Sequence, residues 1–322
     1  MAVDPAPGVT TNHAAIARAV EIGATAPRPG DGETGELFSI LERLAIDDLG
    51  VARTVEPHLD ALAILAQAGM QELAGDRSWG VFAAEGGTEP LRLSPVGSLT
   101  GVKPWCSLAA DLDAALVTAT HDDGSRQLFA VDLTPSGVTV LPGTWHSRGL
   151  AEIPSGPVRF EDVAATPVGE PGWYLERPGF AWGGIGVAAC WHGGAVALAR
   201  AVLDAARTKP DDMLLAMHLG AIDEAVSSSR RAIHEAAALI DDGTAIGAAG
   251  SVLAKRVRAT VARACELVLE RAGHALGPAP LALDEAHAKR VADLTVYIRQ
   301  HHAERDLASL GAALSRGDAQ PW

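Results

Sequence analysis

Three histidines and one short loop are the residues of this chain whose types and spacing could carry chemistry. His301 and His302 stand side by side after Gln300, and His192 lies alone in a stretch, 177–203, that holds no carboxylate. An imidazole titrates near neutral pH, so each can take up or release a proton under physiological conditions. Each also has a plainer reading: paired histidines near the end of a helix form a solvated or ion-paired face, and a lone histidine in an apolar run is a core residue. The loop is Gly101-Val102-Lys103-Pro104-Trp105-Cys106-Ser107, which sets a lysine, a flat aromatic ring and a hydroxyl at alternate positions ahead of the apolar run Ala114 to Ala119. Trp105 can equally serve as packing. Cys106 has no neighbouring base to activate it and reads as a small buried residue.

Other chemistries lack their residues. The nucleophile-elbow, phosphate-loop and zinc-protease patterns are absent, and Gly183-Gly184-Ile185-Gly186 lacks the preceding parallel strand that a dinucleotide site needs. The acids near Asp111 and at Asp122-Asp123 do not have calcium-loop spacing. Cys106, Cys190 and Cys265 form no CxxC pair and no disulfide framework, so no metal is expected and a reducing cytoplasm fits. A formal charge of -14 argues against nucleic acid and anionic membranes, both of which reward basic patches. Residues 1–34 lack the basic and apolar regions of a signal peptide, and no apolar run of about 18 residues is present to span a bilayer.

The elements that must position these residues follow from periodicity. Residues 1–34, rich in Ala, Pro, Gly, Asp and Thr, are expected to be a flexible arm. From 35 to 78, Leu37, Ile40, Leu41 and Leu44, then Leu59, Leu62 and Leu65, recur at three- and four-residue spacing and predict two short amphipathic helices. From 79 to 172 the period becomes that of strands at 81–84, 91–93, 115–119, 127–133, 138–141 and 158–160, with a turn at 101–105, which predicts an antiparallel sandwich or barrel. From 173 to 322 the helical period returns. Helices are expected from about Gly186 to Arg207, from Asp211-Asp212 through Ile240, from Thr244 to Gly273, and from Asp284 toward Leu310. Four long helices with short loops make a bundle.

This order, an α+β chain with a short helical N-terminal domain, a middle antiparallel β-domain and a C-terminal four-helix bundle, resembles the acyl-CoA dehydrogenase family over almost the whole length. The Lys103 to Ser107 loop resembles the family's glycine-x-lysine-x-tryptophan-x-threonine/serine loop, whose hydroxyl and backbone contact the flavin ring. Val158 to Val163 followed by Pro167-Val168-Gly169 resembles the strand closing the family's middle domain. The resemblance implies an enzyme, a flavoprotein oxidoreductase holding FAD in preference to FMN. It further implies an acyl-CoA thioester substrate, a separate electron acceptor and a homodimer or homotetramer assembled through the bundle. Lys103, Trp105, Cys106 and Ser107 are then the flavin-side residues. Ala84 and Glu85 join them, because Ala83-Ala84-Glu85 approximates the family's threonine-glutamate-proline turn. Thr88-Glu89-Pro90 spells that turn better but sits closer to Lys103 than the family spacing.

The family's proton acceptor is a Glu eight residues after an aspartate in the last helix. Counting from Asp293, that position is His301, flanked by Gln300 and His302. The alternative Glu near the start of the first bundle helix is also missing, and His192 is the titratable group there. The family's cofactor-pyrophosphate segment is replaced by Arg207-Thr208-Lys209-Pro210-Asp211, and the later glycine-rich segment survives only as Gly273 to Pro278. Three readings follow: a dehydrogenase acting on CH–CH bonds with His301, Gln300 or His192 at the reacting carbon, a reduced-flavin monooxygenase on the same fold, and a non-catalytic partner of a homologous dehydrogenase subunit.

Overall fold

The structure, a computed structural model, describes residues 9–87 and 89–319. Three helices come first, α1 (Val9–Gly23), α2 (Thr34–Asp47) and α3 (Leu49–Gln67). Eight strands follow: β1 (Trp79–Phe82), β2 (Arg92–Leu93), β3 (Ser98–Ser107), β4 (Ala114–Thr120), β5 (Arg126–Asp132), β6 (Val138–Val140), β7 (Ser155–Ala164) and β8 (Thr166–Val168). The chain then turns helical in α4 (Trp173–Glu176), α5 (Pro178–Thr208), α6 (Met213–Asp241), α7 (Gly247–Leu276), α8 (Pro278–Leu283), α9 (Glu285–Tyr297) and α10 (Glu304–Ser315). Two compact units divide these elements. One takes residues up to 26, 54–146 and 151–180; the other takes 27–53, 147–150 and 181 onward.

The first unit is built on one sheet in the order β6-β7-β3-β2-β4-β5-β8, with β1 paired to β4. Residues 114–119 of β4 are all buried, as an apolar central strand requires. Against the sheet, Ala61, Ile64 and Leu65 of α3 share a core with Trp79, Leu116, Leu128 and Val168. Each large side chain buried there stabilises the unit by about 1.5–3 kcal/mol. The sheet is mixed where the sequence reading expected it antiparallel throughout: β1 runs parallel to β4, with Phe82 opposite Val117. The long connection between them, which includes β3, permits the parallel crossover.

Two further expectations need correction in this unit. The expected arm contains α1, whose Asn12, Ala15, Ile16 and Ala19 are buried at three- and four-residue spacing. Alanines carry little hydrophobic signal, which hides that stripe; residues 1–8 lie outside the described residues. The expected turn at 101–105 is the middle of a single ten-residue strand, β3.

In the second unit α5 is the central helix. It is long and apolar enough to cross a membrane, yet 78% of its apolar window is buried within the protein. It begins at Pro178, well before the expected Gly186, since proline is well suited to the first turn of a helix. Cys265 Sγ of α7 donates to the Trp191 carbonyl of α5, and Trp191 meets Tyr297 of α9 edge-on at 6.3 Å. The N-cap of α6 is Asp212, whose carboxylate accepts from Leu214 N and Leu215 N. The third helix starts at Gly247, because Thr244 instead folds back on Asp242 through its hydroxyl.

The expected fourth helix is broken. α9 ends at Tyr297, Ile298–Gln300 form a 3-10 turn, His301 is extended and Ala303 adopts φ +46 before α10 begins. No glycine or proline marks this break. Residues 147–150 dock on the same helix: Leu150 N donates to Asp293 Oδ1 at 2.6 Å, and Lys289 Nζ pairs with Asp293 Oδ2 at 2.6 Å.

Candidate functional site

Strand β3 carries the loop residues on a bulge. Its register against β7 slips between Lys103, opposite Val158, and Cys106, opposite Gly156, so the intervening residues have no regular partners. Trp105 absorbs the slip with φ +60, a conformation that costs an L-residue about 1–2 kcal/mol. It also leaves its indole 62% exposed, while Lys103 and Cys106 on either side are buried.

The lysine is the anchor of that bulge. Lys103 Nζ donates to Thr118 Oγ1 of β4 at 2.7 Å and to Glu85 Oε1 at 3.2 Å, and Thr118 Oγ1 donates to the same carboxylate oxygen at 2.9 Å. Burial pulls the Lys103 pKa below that of an ordinary lysine, with the Glu85 carboxylate pulling the other way. Three segments are tied together by this one ammonium: the stretch after β1 that holds Ala84 and Glu85, the bulge of β3, and β4. Cys106 Sγ donates to the Lys103 carbonyl, and burial pushes its pKa up to about 12, so it is an inert thiol. Ser107 Oγ lies 2.8 Å from Ser155 Oγ of β7.

The three histidine candidates all fall in the second unit, in different surroundings. His192 is a core residue of α5. Its Nδ1 lies 2.9 Å from Ser229 Oγ, and its Nε2 is 3.6 Å from Glu42 Oε1. Burial, then the nearby Arg230 and His234, lowers its pKa to about 4, so it is uncharged at neutral pH. His301 is also buried, at 9% exposure, with Nε2 engaged in no hydrogen bond among the described residues and Asp306 Oδ2 3.8 Å away. Its pKa is lowered chiefly by burial, against the pull of Asp306. His302 is exposed and pairs with Asp306 at 3.4 Å. Gln300 points its side chain outward, while its carbonyl accepts from Arg258 Nη2 at 2.9 Å.

The structure therefore gathers Glu85, Ala84, Lys103, Trp105, Cys106 and Ser107 in the first unit, and gathers Gln300 and His301 at the α9 break in the second. His192 stands apart from His301 in its partners: its side chain is engaged with α6 and α2. Sequence reasoning missed Thr118, Ser155 and Arg258. Thr118 was findable as the single polar residue within the apolar run of β4. Thr88, part of the alternative acidic turn, lies outside the described residues.

No family model and no curated protein matches the chain. Solved structures do. The chain is similar to the methanesulfinate monooxygenase MsuC from Pseudomonas fluorescens, with a TM-score of 0.76 and 17% identity over 100% of this chain and 99% of that one. It is similar to butyryl-CoA dehydrogenase from Megasphaera elsdenii, with a TM-score of 0.73 and 17% identity over 98% and 100% of the two chains. It is also similar to XiaF from Streptomyces sp. in complex with FADH2, with a TM-score of 0.72 and 19% identity over 88% and 81%. At these identities the likeness shows the fold, which is that of the acyl-CoA dehydrogenases and the oxygenases that share their architecture.

Proposed function

We propose that this chain is a flavin-dependent oxidoreductase that holds FAD against the bulge of β3 and acts on the CH–CH bond of an acyl-CoA thioester. The observation that carries this reading is the strained, exposed Trp105 on the bulge whose buried Lys103 is tied to Thr118 and Glu85. A flavin ring needs a flat apolar wall and nearby donors. Trp105 offers the wall, and Ser107 with Ser155 offers hydroxyls one pleat away. The similarity to a protein solved with FADH2 supports the same cofactor here, and the similarity to a butyryl-CoA dehydrogenase supports the substrate class. When bound, FAD would supply the hydride acceptor.

The chain's own contribution is proton handling. His301 is uncharged near pH 7, is shielded from bulk water and has a ring nitrogen without a hydrogen bond, so it can accept the proton from the carbon beside a thioester. Asp306, 3.8 Å away, steadies the imidazolium that results. Assembly through the helical bundle into a homodimer or homotetramer belongs to the same reading.

A second reading is favoured by one observation: α5 has no Asp or Glu from 177 to 203, and the corresponding place after α9 is a histidine. Without a carboxylate, the site suits a reduced-flavin monooxygenase, as the similarity to the monooxygenase MsuC and to a protein solved with FADH2 supports. In that case a neutral His301 serves as a hydrogen-bond partner and not as the base for a carbon acid. The absorbance spectrum of the purified protein, with and without added FAD and FMN, tests the shared premise. Bound FAD bleached by an acyl-CoA ester supports the dehydrogenase. Oxygen uptake only with externally supplied reduced flavin supports the oxygenase. A colourless protein that binds neither flavin overturns both and leaves the assembly-subunit role.

A further inference from the structure

One arginine joins three segments of the second unit at the point where the α9 run breaks. Arg258 of α7 donates from Nη1 to the Gly184 carbonyl of α5 at 2.9 Å and from Nη2 to the Gln300 carbonyl at 2.9 Å. Its guanidinium carbon lies 4.6 Å from the centroid of the Trp191 ring. The Gln300 carbonyl is one of the acceptors that a helix end leaves without an intrahelical donor. A planar guanidinium can serve two carbonyls on two different helices at once while stacking on an indole; a lysine ammonium has no such fork.

The segment so held has bonds of its own, from His301 N to the Ile298 carbonyl at 3.0 Å and from His302 N to Asp306 Oδ2 at 3.1 Å, and Arg258 ties it to the neighbouring helices. It contains no glycine or proline, and Ala303 adopts φ +46, which an alanine adopts only under external constraint. His301 is the residue directly after the clamped carbonyl. The charged and titratable groups whose charges act on its titration are Asp306 of α10, Arg258 and Glu266 of α7, and the adjacent His302. Glu266 is already paired with Arg299 at 2.7 Å. A buried ring nitrogen without a hydrogen bond is costly, and native proteins seldom keep one without a use for it.

We propose that Arg258 is the positioning residue for His301: by pinning the Gln300 carbonyl to α5 and α7 it holds the imidazole in place, with Nε2 turned toward Asp306 of α10. The proposal rests on the reading of His301 as the proton acceptor. Every residue it uses lies within the second unit.

The test is imidazole NMR on the flavin-free protein, with the His301 signal assigned by its loss in His301→Asn. In Arg258→Gln a neighbouring cation is removed and water gains access, so the His301 midpoint should rise by about half a pH unit or more, while that of His192 stays put. Arg258→Lys keeps the charge but reaches one carbonyl; the midpoint should rise less, and the His301 and His302 amide signals should shift. Unchanged His301 midpoint and amide signals in folded Arg258→Gln would overturn the proposal. If that variant does not fold, Arg258→Lys decides by the amide signals: a shift supports the clamp and no shift overturns it. A colourless protein would end the flavin reading without altering this result, so the two failures are distinguishable.

Discussion

Lys103 Nζ sits 2.7 Å from Thr118 Oγ1, and both groups lie on the same oxygen of Glu85. The two charges of this cluster are not equally buried: the Lys103 side chain is 2% exposed and that of Glu85 is 34% exposed. Removing one partner therefore has different consequences from removing the other. Glu85→Gln strands a buried ammonium and should cost about 3 kcal/mol at pH 7. Lys103→Met leaves a carboxylate that can rehydrate and should cost less, about 1–2 kcal/mol. The lowered Lys103 pKa gives a second check. Losing its proton relieves the stranded charge, so the deficit of Glu85→Gln should shrink between pH 7 and pH 9. Urea denaturation at both pH values measures it, and an equal or larger cost for Lys103→Met would show that the ammonium is not the group that matters.

At Trp105 stability and binding are expected to move in opposite directions. Its φ of +60 is free of strain for glycine alone, and its ring is mostly exposed, so little burial is lost on truncation. Trp105→Gly should be more stable than Trp105→Ala by about 1 kcal/mol, since both lose the ring and only alanine keeps the strain. Both should weaken FAD binding by at least tenfold if the indole walls the flavin. Thermal melts and a flavin titration on the two variants decide this; equal FAD affinity for wild type and both variants would remove Trp105 from the site.

Cys106, Cys190 and Cys265 are all buried. Burial pushes the Cys106 pKa up to about 12 and also raises that of Cys265. A thiol reagent such as a chromogenic disulfide attacks the thiolate, which is scarce at pH 8 under these conditions. The native protein should show no fast-reacting thiol, and three should appear on denaturation. Rapid labelling of Cys106 in the native state would mean that the bulge opens readily.

The large elements were legible because their signals are local: three- and four-residue spacing for the helices, and turn clusters between short apolar runs for the sheet. The pattern of lysine, tryptophan and serine was legible too. Its meaning was not, because a bulge is defined by the register of β3 against β7, more than 50 residues away in sequence, and an isolated Gly101 reads as a turn. Gly101 does need its freedom, but for a different reason: a Cβ there would lie 2.6 Å from the Pro90 carbonyl oxygen. The break before His301 was hidden for the same kind of reason. Its freed carbonyl is satisfied by Arg258, 42 residues earlier, and nothing within the segment itself announces an end.

The last prediction concerns acid. His58 in the first unit accepts a hydrogen bond from Trp79 N at Nδ1, and burial lowers its pKa to about 4. His192 in the second unit has the same depressed value. A histidine has a pKa near 6.5 when unfolded, so between about pH 6.5 and pH 4 the unfolded chain binds a proton at each site that the folded chain does not. The stability contributed by keeping these rings neutral is fully present above pH 6.5 and is lost as pH falls toward 4, at about 1.4 kcal/mol per pH unit for each histidine. Ser229 Oγ donates to the Val226 carbonyl, which assigns the proton of the His192 contact to Nδ1. His192→Asn keeps a donor near that place and cannot ionise. Its stability should therefore fall less steeply with acid than that of the wild type, by about one proton, while the slope due to His58 remains. Urea titrations at half-unit steps from pH 7 to pH 4.5 measure both slopes, and parallel curves for wild type and variant would show that His192 gains its proton without unfolding.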